Sequence, residues 1–237
     1  MKKTVMRVLG IMVITVSLGM VSIGTLHTAE AAQIEAMEQN AASDYEAISR
    51  LVVWERQSRV RHEMKEMEAC YFPDATVATS WSRGTLASYL KGGNRAEATP
   101  DEIILSRVSV PIVHQKGKRA YVELPATTIR WIKVNGEEAV LTSYMRLIYR
   151  VEQRKGIWKI ADMLSINEDD TLEPAVPGTD LKINASELKG LRHSYRYLAY
   201  TRIKAGGKVS NDLLGIDRPD DIARIYSEAE TWLNGKG

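Results

Sequence analysis

Residues 119–151 read RAYVELPATTIRWIKVNGEEAVLTSYMRLIYRV. Two long runs rich in β-branched and aromatic residues, Arg119–Val134 and Glu138–Val151, flank Asn135-Gly136. A two-residue type I′ turn needs positive φ at both central positions, which Asn and Gly tolerate best, so the stretch predicts a hairpin of two long antiparallel strands. Working outward, Lys116-Gly117-Lys118 and Arg154-Lys155-Gly156 are the next turns, and they join strands over Ile103–His114 and Ile157–Ser165. Pro111 and Pro125 lack a ladder donor and mark bulges, bends or edges.

Helices bracket this sheet. Between Asp44 and Tyr71 the apolar residues Val53, Val60, Met64, Met67 and Tyr71 recur at helical spacing, which predicts one long amphipathic helix. Phe72-Pro73-Asp74-Ala75 ends it, with Asp74 fixing the turn; Thr76–Trp81 follows as a short strand, and Leu86, Tyr89 and Leu90 predict a short helix before Gly92-Gly93. Beyond Pro174 and Pro177, Leu188, Leu191, Tyr195, Leu198 and Ile203 line one helix. Ile222, Ile225, Tyr226, Ala229 and Trp232 line another, with Asp217 as its N-cap and Pro219 in its first turn. The sum is an α+β fold: a curved, mainly antiparallel sheet packed against a long N-terminal helix and short helices, with a helical extension at the C-terminus.

Of the 237 residues, 44% are hydrophobic, enough for a core without metal or disulfide staples. Met1–Ala32 begins with Lys2, Lys3 and Arg7, continues through the apolar run Val8–Leu26, and closes on the small residues Ala29, Ala31 and Ala32. That pattern reads as a secretory signal over residues 1–31, cleaved after Ala31 or Ala32, and predicts a periplasmic or extracellular protein. The alternative is an uncleaved membrane anchor, since the run nearly spans a bilayer core of about 30 Å. Without residues 1–31, Lys+Arg falls from 32 by three and Asp+Glu from 30 by one, leaving a formally neutral chain. A neutral chain gives no footing for a nucleic-acid partner or, once the leader is gone, an anionic membrane. Cys70 has no second cysteine to pair with and reads as a buried thiol.

No G-x-S-x-G, phosphate loop, H-E-x-x-H or paired-cysteine motif is present, and His62, His114 and His193 lack metal-ligand spacing, so neither cofactor nor metal is expected. Several stretches carry a resemblance instead: Cys70-Tyr71-Phe72-Pro73-Asp74-Ala75-Thr76-Val77 after a long helix, Thr79-Ser80-Trp81 with Gly84, Pro111-Ile112-Val113 leading to Gly117-Lys118-Arg119-Ala120, and Gly156-Ile157-Trp158-Lys159-Ile160. In this order they resemble SnoaL-like proteins of the nuclear transport factor 2-like superfamily. Ser194-Tyr195-Arg196, Leu213-Leu214-Gly215, Asp217-Arg218-Pro219-Asp220 and Trp232-Leu233 resemble the C-terminal helical extension of one poorly characterised branch. The organisation implied is a leader over 1–31, a linker over 32–43, a SnoaL-like domain over 44–175 and the extension over 176–237.

The resemblance implies a cone with an apolar pocket inside and a homodimer joined through the sheet. Its catalytic members are dehydratases, isomerases and cyclases, many of which use an Asp/His pair. Counted without gaps from Asp74, the helix Asp falls at Val60; counted from Pro111 and Gly117, the His falls at Ser106. Both members of the pair are thus absent. Aromatic and cationic residues on the converging segments make Trp54, Gln57, Tyr71, Trp81, Tyr89, Arg130 and Trp131 the candidate ligand pocket, with strand alternation allowing only one of Arg130 and Trp131 to face it. The leading expectation is an exported protein that binds a small apolar or aromatic molecule. One alternative is an isomerase or dehydratase acting on a hydrophobic carbonyl compound with a non-standard set, for example His62 as base, Tyr71 or Tyr89 as acid and Arg130 or Arg146 as oxyanion partner. The other is a non-catalytic dimeric interaction protein. His62 falls on the polar side of the helix, and His114 at a hairpin end.

Overall fold

The computed structural model describes residues 18–80, 83–93 and 103–235, with side chains from residue 39 onward. The chain divides into two compact units, Met1–Asp44 and Tyr45–Gly237. In the first, the described residues form the beginning of helix α1 (Leu18–Val60), so the stretch 32–43, expected as a linker, is helical. Residues 1–17 of the expected leader lie outside the described residues. Among the described residues no helix is long and apolar enough to cross a membrane.

The second unit holds the sheet. In chain order its elements are the end of α1, α2 (Met64–Ala69), β1 (Tyr71–Ala78), β2 (Arg83–Thr85), α3 (Leu86–Gly93), β3 (Ile103–Val108), β4 (Ile112–Lys116), β5 (Arg119–Val134), β6 (Glu137–Arg154), β7 (Ile157–Pro174), α4 (Arg196–Lys204) and α5 (Pro219–Leu233). The strands run in the order β2-β1-β7-β6-β5-β3, with β4 also on β5; β1 pairs β7 in parallel and the other pairings are antiparallel. Asn135 and Gly136 have φ of 51° and 90°, the positive pair the hairpin requires.

Two expectations for continuous elements are corrected. The helix expected over Asp44–Tyr71 breaks after Val60: His62 adopts φ 58°, its N–H bonds the Arg59 carbonyl, and the Glu63 N–H bonds the Ser58 carbonyl at 2.9 Å. This is a Schellman cap with histidine in the left-handed position, after which α2 starts afresh. The strand expected over Ile103–His114 is two strands, because β5 changes its edge partner from β4 to β3 at Pro125. Ser109 N–H bonds the Pro125 carbonyl at 2.9 Å, and the missing proline donor faces that break. Pro73 is similarly placed in β1 between Tyr71 and Thr76, where the ladder to β7 skips register.

The long strands carry two covered regions on one face, here the inner face. Tyr149, Leu147 and Met145 on β6 share it with Val122, Leu124 and Ala126 on β5, and they pack with Ile48 and Val52 of α1. Further along the same strands, Leu141 packs with Tyr195, Leu198 and Ala199, and Ala139 with Val134, Leu181 and Tyr200. The tail that supplies these residues has two 3-10 turns, Ala185–Leu188 and His193–Tyr195, before α4, where one continuous helix was expected. Helix α5 lies on the opposite, outer face: Tyr121 donates to Glu230 at 2.8 Å, and the Tyr226 hydroxyl donates to Glu123 at 2.6 Å. Asp217 does not cap α5, whose N-cap is Arg218 with no side-chain bond.

Candidate functional site

Ile48, Val52, Glu55, Arg56 and Ser58 are the buried residues of α1 from Tyr45 on, so the inward face carries charge as well as methyl groups. Glu55 is 0% exposed, and its carboxylate accepts from Tyr71 at 2.8 Å, Tyr149 at 2.7 Å and Arg59 Nε at 2.9 Å. Arg59 also donates to the Tyr71 hydroxyl at 2.9 Å and to Tyr89, whose ring lies 4.7 Å from its guanidinium carbon. Burial and the Glu55 charge hold the Tyr71 and Tyr149 hydroxyls well above their usual range. Burial would lower Arg59, but Glu55 and the tyrosines hold it above its ordinary value. Burial, then Glu55, pushes the Cys70 thiol up to about 12, which makes it a poor nucleophile.

One helical step away, Arg56 is 8% exposed and donates to Ser106 Oγ at 3.1 Å and Thr128 Oγ1 at 2.6 Å. Ser106, Thr128, Ser143 and Asp170 are direct cross-strand neighbours on β3, β5, β6 and β7, forming a polar row across the inner face. Asp170 Oδ2 accepts from the Leu198 N–H at 2.6 Å, holding the start of α4. Among the described residues its Oδ1 is buried without a hydrogen-bond partner.

A cavity of about 440 Å³ opens beside this row. Its floor includes Ser165 and Asn167 of β7, register partners of the inward Leu147 and Met145. One wall is Ala78, Thr79, Ser80 and Arg83; the other is the loop from Lys208 to Leu214. That loop is held at several points. Asn167 Nδ2 donates to the Leu214 carbonyl at 2.9 Å and its Oδ1 accepts from Ser80 at 3.0 Å. Arg192 donates to the Asn211 and Leu213 carbonyls at 3.0 and 2.6 Å and pairs with Asp217, which the Arg192 and Ser194 bonds hold below the usual carboxylate range. A Cβ on Gly215 would stand 2.6 Å from Asp217 Oδ1 and 2.9 Å from Ser194 Cβ, so a larger residue there would have to displace part of the Arg192–Asp217–Ser194 clasp. A smaller hollow of about 200 Å³ lies by Arg107, Tyr144 and Glu168.

Of the residues expected to form the pocket, those described line neither cavity. Trp54 is 47% exposed with Arg61 over its ring, Gln57 is part-buried, and Tyr71 and Tyr89 belong to the Glu55–Arg59 network. Arg130 shares the inner face with Thr128, whereas Trp131 is on the outer face and 37% exposed. Trp81 lies outside the described residues. Three of the residues weighed for catalysis are also apart. His62 is exposed in the Schellman turn, and Tyr71 is inside. Arg146 is outside, bonded to Tyr226 and paired with Glu168, both at 2.8 Å. Asp74 sits within β1, paired with Arg154 at 2.8 Å, and His114 stacks on Tyr121. The α1 residue that bonds Ser106 is Arg56, and the ungapped count from Asp74 back to Val60 runs through the turn at His62.

No protein-family model matches the chain. It is 27% identical over 188 residues to an uncharacterized protein of Emericella nidulans, covering 73% of this chain and 79% of that one. Among solved structures it resembles a type 2 hexachlorocyclohexane dehydrochlorinase, at 10% identity and a TM-score of 0.52, over 62% of this chain and 99% of the enzyme. A putative scytalone dehydratase from Novosphingobium aromaticivorans superposes with a TM-score of 0.47 at 15% identity, over 60% of this chain and 99% of that one. The chain has the nuclear transport factor 2-like fold, the fold that the SnoaL-like resemblance implied.

Proposed function

We propose that this is an exported protein that binds a small, largely apolar molecule in the cavity between the inner face of β7 and the Lys208–Leu214 loop. The observation that carries the reading is the cavity itself: about 440 Å³ suits a small organic ligand, and Leu213, Leu214, Val209 and Ala78 supply apolar wall while Ser80, Ser165 and Asn167 supply orienting polar atoms. The clasp of Arg192 and Asn167 supports a preformed site, which lowers the ordering cost of binding. The leader-like residues 1–31 support export.

Native mass spectrometry of the secreted protein, followed by a thermal-shift screen of aromatic acids and hydrophobic carbonyl compounds, tests the reading. A defined co-purified mass, or compounds that raise Tm in the parent and not in Ser210→Trp, is the expected result; Ser210 is an exposed residue of the cavity wall. A protein that carries no ligand and responds to no compound, or responds equally with the tryptophan in place, overturns it.

A further inference from the structure

The buried charges on α1 do not cancel. Glu55 accepts from Arg59, Tyr71 and Tyr149, and no carboxylate forms an ion pair with Arg56 among the described residues. Arg56 is nine-tenths buried, and its partners Ser106 and Thr128 are neutral hydroxyls. Burial, with Arg59 nearby, lowers its pKa from the ordinary value. A guanidinium does not shed its proton under ordinary conditions, so the unmatched charge stays in the core.

The surroundings are arranged as donors. Each hydroxyl accepts from the guanidinium and thereby keeps its own proton to give, and the buried Ser143 is next in the same cross-strand row. The cavity is one side chain away. Its floor residue Asn167 is the register partner of Met145, and Arg56 Nη2 lies 3.8 Å from Met145 Sδ. Met145 is part-buried, and an unbranched thioether repacks readily.

We propose that Arg56, with the hydroxyls of Ser106 and Thr128, is the inner anchor for a carboxylate, so that the ligand is a small organic acid entering past Met145 with its apolar body left in the cavity. This rests on the ligand-binding reading above and narrows it to a chemical class. Acid recognition of this kind needs a fixed fork and a desolvated charge, both of which Arg56 supplies.

The test compares cinnamate with cinnamamide on the full-length secreted protein, by titration calorimetry and by thermal shift. The two probes have the same skeleton and differ in the charge of the head group. Wild type is expected to prefer the acid about tenfold or more. In Arg56→Met the ratio falls to about one, while the Tm of the ligand-free protein stays level or rises because an unmatched buried charge has gone. Thr128→Val, close in volume, keeps the fold and reduces the preference if Arg56→Met does not fold. Equal binding of acid and amide to wild type, or an acid preference that survives both substitutions, overturns the carboxylate anchor while leaving the cavity reading intact. Failure of both probes and of the wider screen overturns the two together. A fall in the ligand-free Tm of Arg56→Met, with the acid preference unchanged, makes Arg56 a structural residue.

Discussion

The same three strands, β5, β6 and β7, are covered twice on one face, by opposite chemistries. Under α1 the inner face meets a charged carboxylate, two guanidinium groups and two tyrosine hydroxyls embedded among Ile48, Val52, Leu124 and Leu147. Under the C-terminal tail it meets Leu198, Ala199 and Tyr195 over Leu141, and Leu181 and Tyr200 over Val134 and Ala139. Apolar contact is tolerant of small shifts, whereas a buried ion holds only if every partner stays in place. The first region therefore fixes α1 on the sheet in one geometry, and the second attaches the tail by area. The row Ser106–Thr128–Ser143–Asp170 marks the boundary, and the cavity lies alongside it.

Removing Glu55 is the most severe way to break this contrast. Glu55→Ala leaves Arg59 and two tyrosine hydroxyls buried without their acceptor, a loss of about 3–5 kcal/mol. Urea denaturation measures it, and the transition is expected to move as a whole. Combining Glu55→Leu with Arg59→Met removes both charges and should be milder than Glu55→Leu alone. Additive losses would show that the pair does not act as a unit.

In the tail region the expected loss is smaller and local. Leu198→Ala deletes an apolar side chain that is 7% exposed, at a cost of about 2–4 kcal/mol. Hydrogen exchange should quicken in α4 and in the loop that Asn167 and Arg192 hold, with the amides of α1 unchanged. Equal quickening in α1 would mean that the two regions form one cooperative core.

The contrast also explains what the sequence disclosed. The β5–β6 hairpin was legible because strand residues and Asn135-Gly136 agree at every level, from alternation to turn geometry. Helix α1 was legible as a helix but not in its orientation. Its inward face carries Glu55, Arg56 and Arg59, and charge at helical spacing looks like a solvated face, so Val53 and Val60 drew the stripe instead. The i to i+4 pair Glu55–Arg59, in line with Ile48 and Val52, was the available signal. The lining of the cavity was the least legible part, because aromatic composition does not report which face a side chain takes. Trp54 and Trp131 are partly exposed, and the cavity wall comes from Lys208–Leu214, a loop with no periodicity to read.

The smallest effect tests the boundary itself, through Asp170. Burial raises its carboxyl pKa, opposed by the Leu198 and Tyr197 amides. An unfolded aspartate titrates near about 4, so the native state prefers the protonated form over the interval between that value and the raised one. The stability Asp170 contributes is therefore complete below about pH 4 and is lost as pH climbs through its folded value. Asp170→Asn keeps an oxygen for the Leu198 N–H and cannot ionise, so it lacks this slope. Urea unfolding from about pH 4 to about pH 7 should show wild type losing ground to the Asn variant as pH rises, with a difference within about 1–2 kcal/mol. Parallel curves would mean that the amides of α4 fully balance the buried charge. The seam would then be held by an ionised cap, as firm in its way as the Glu55 network.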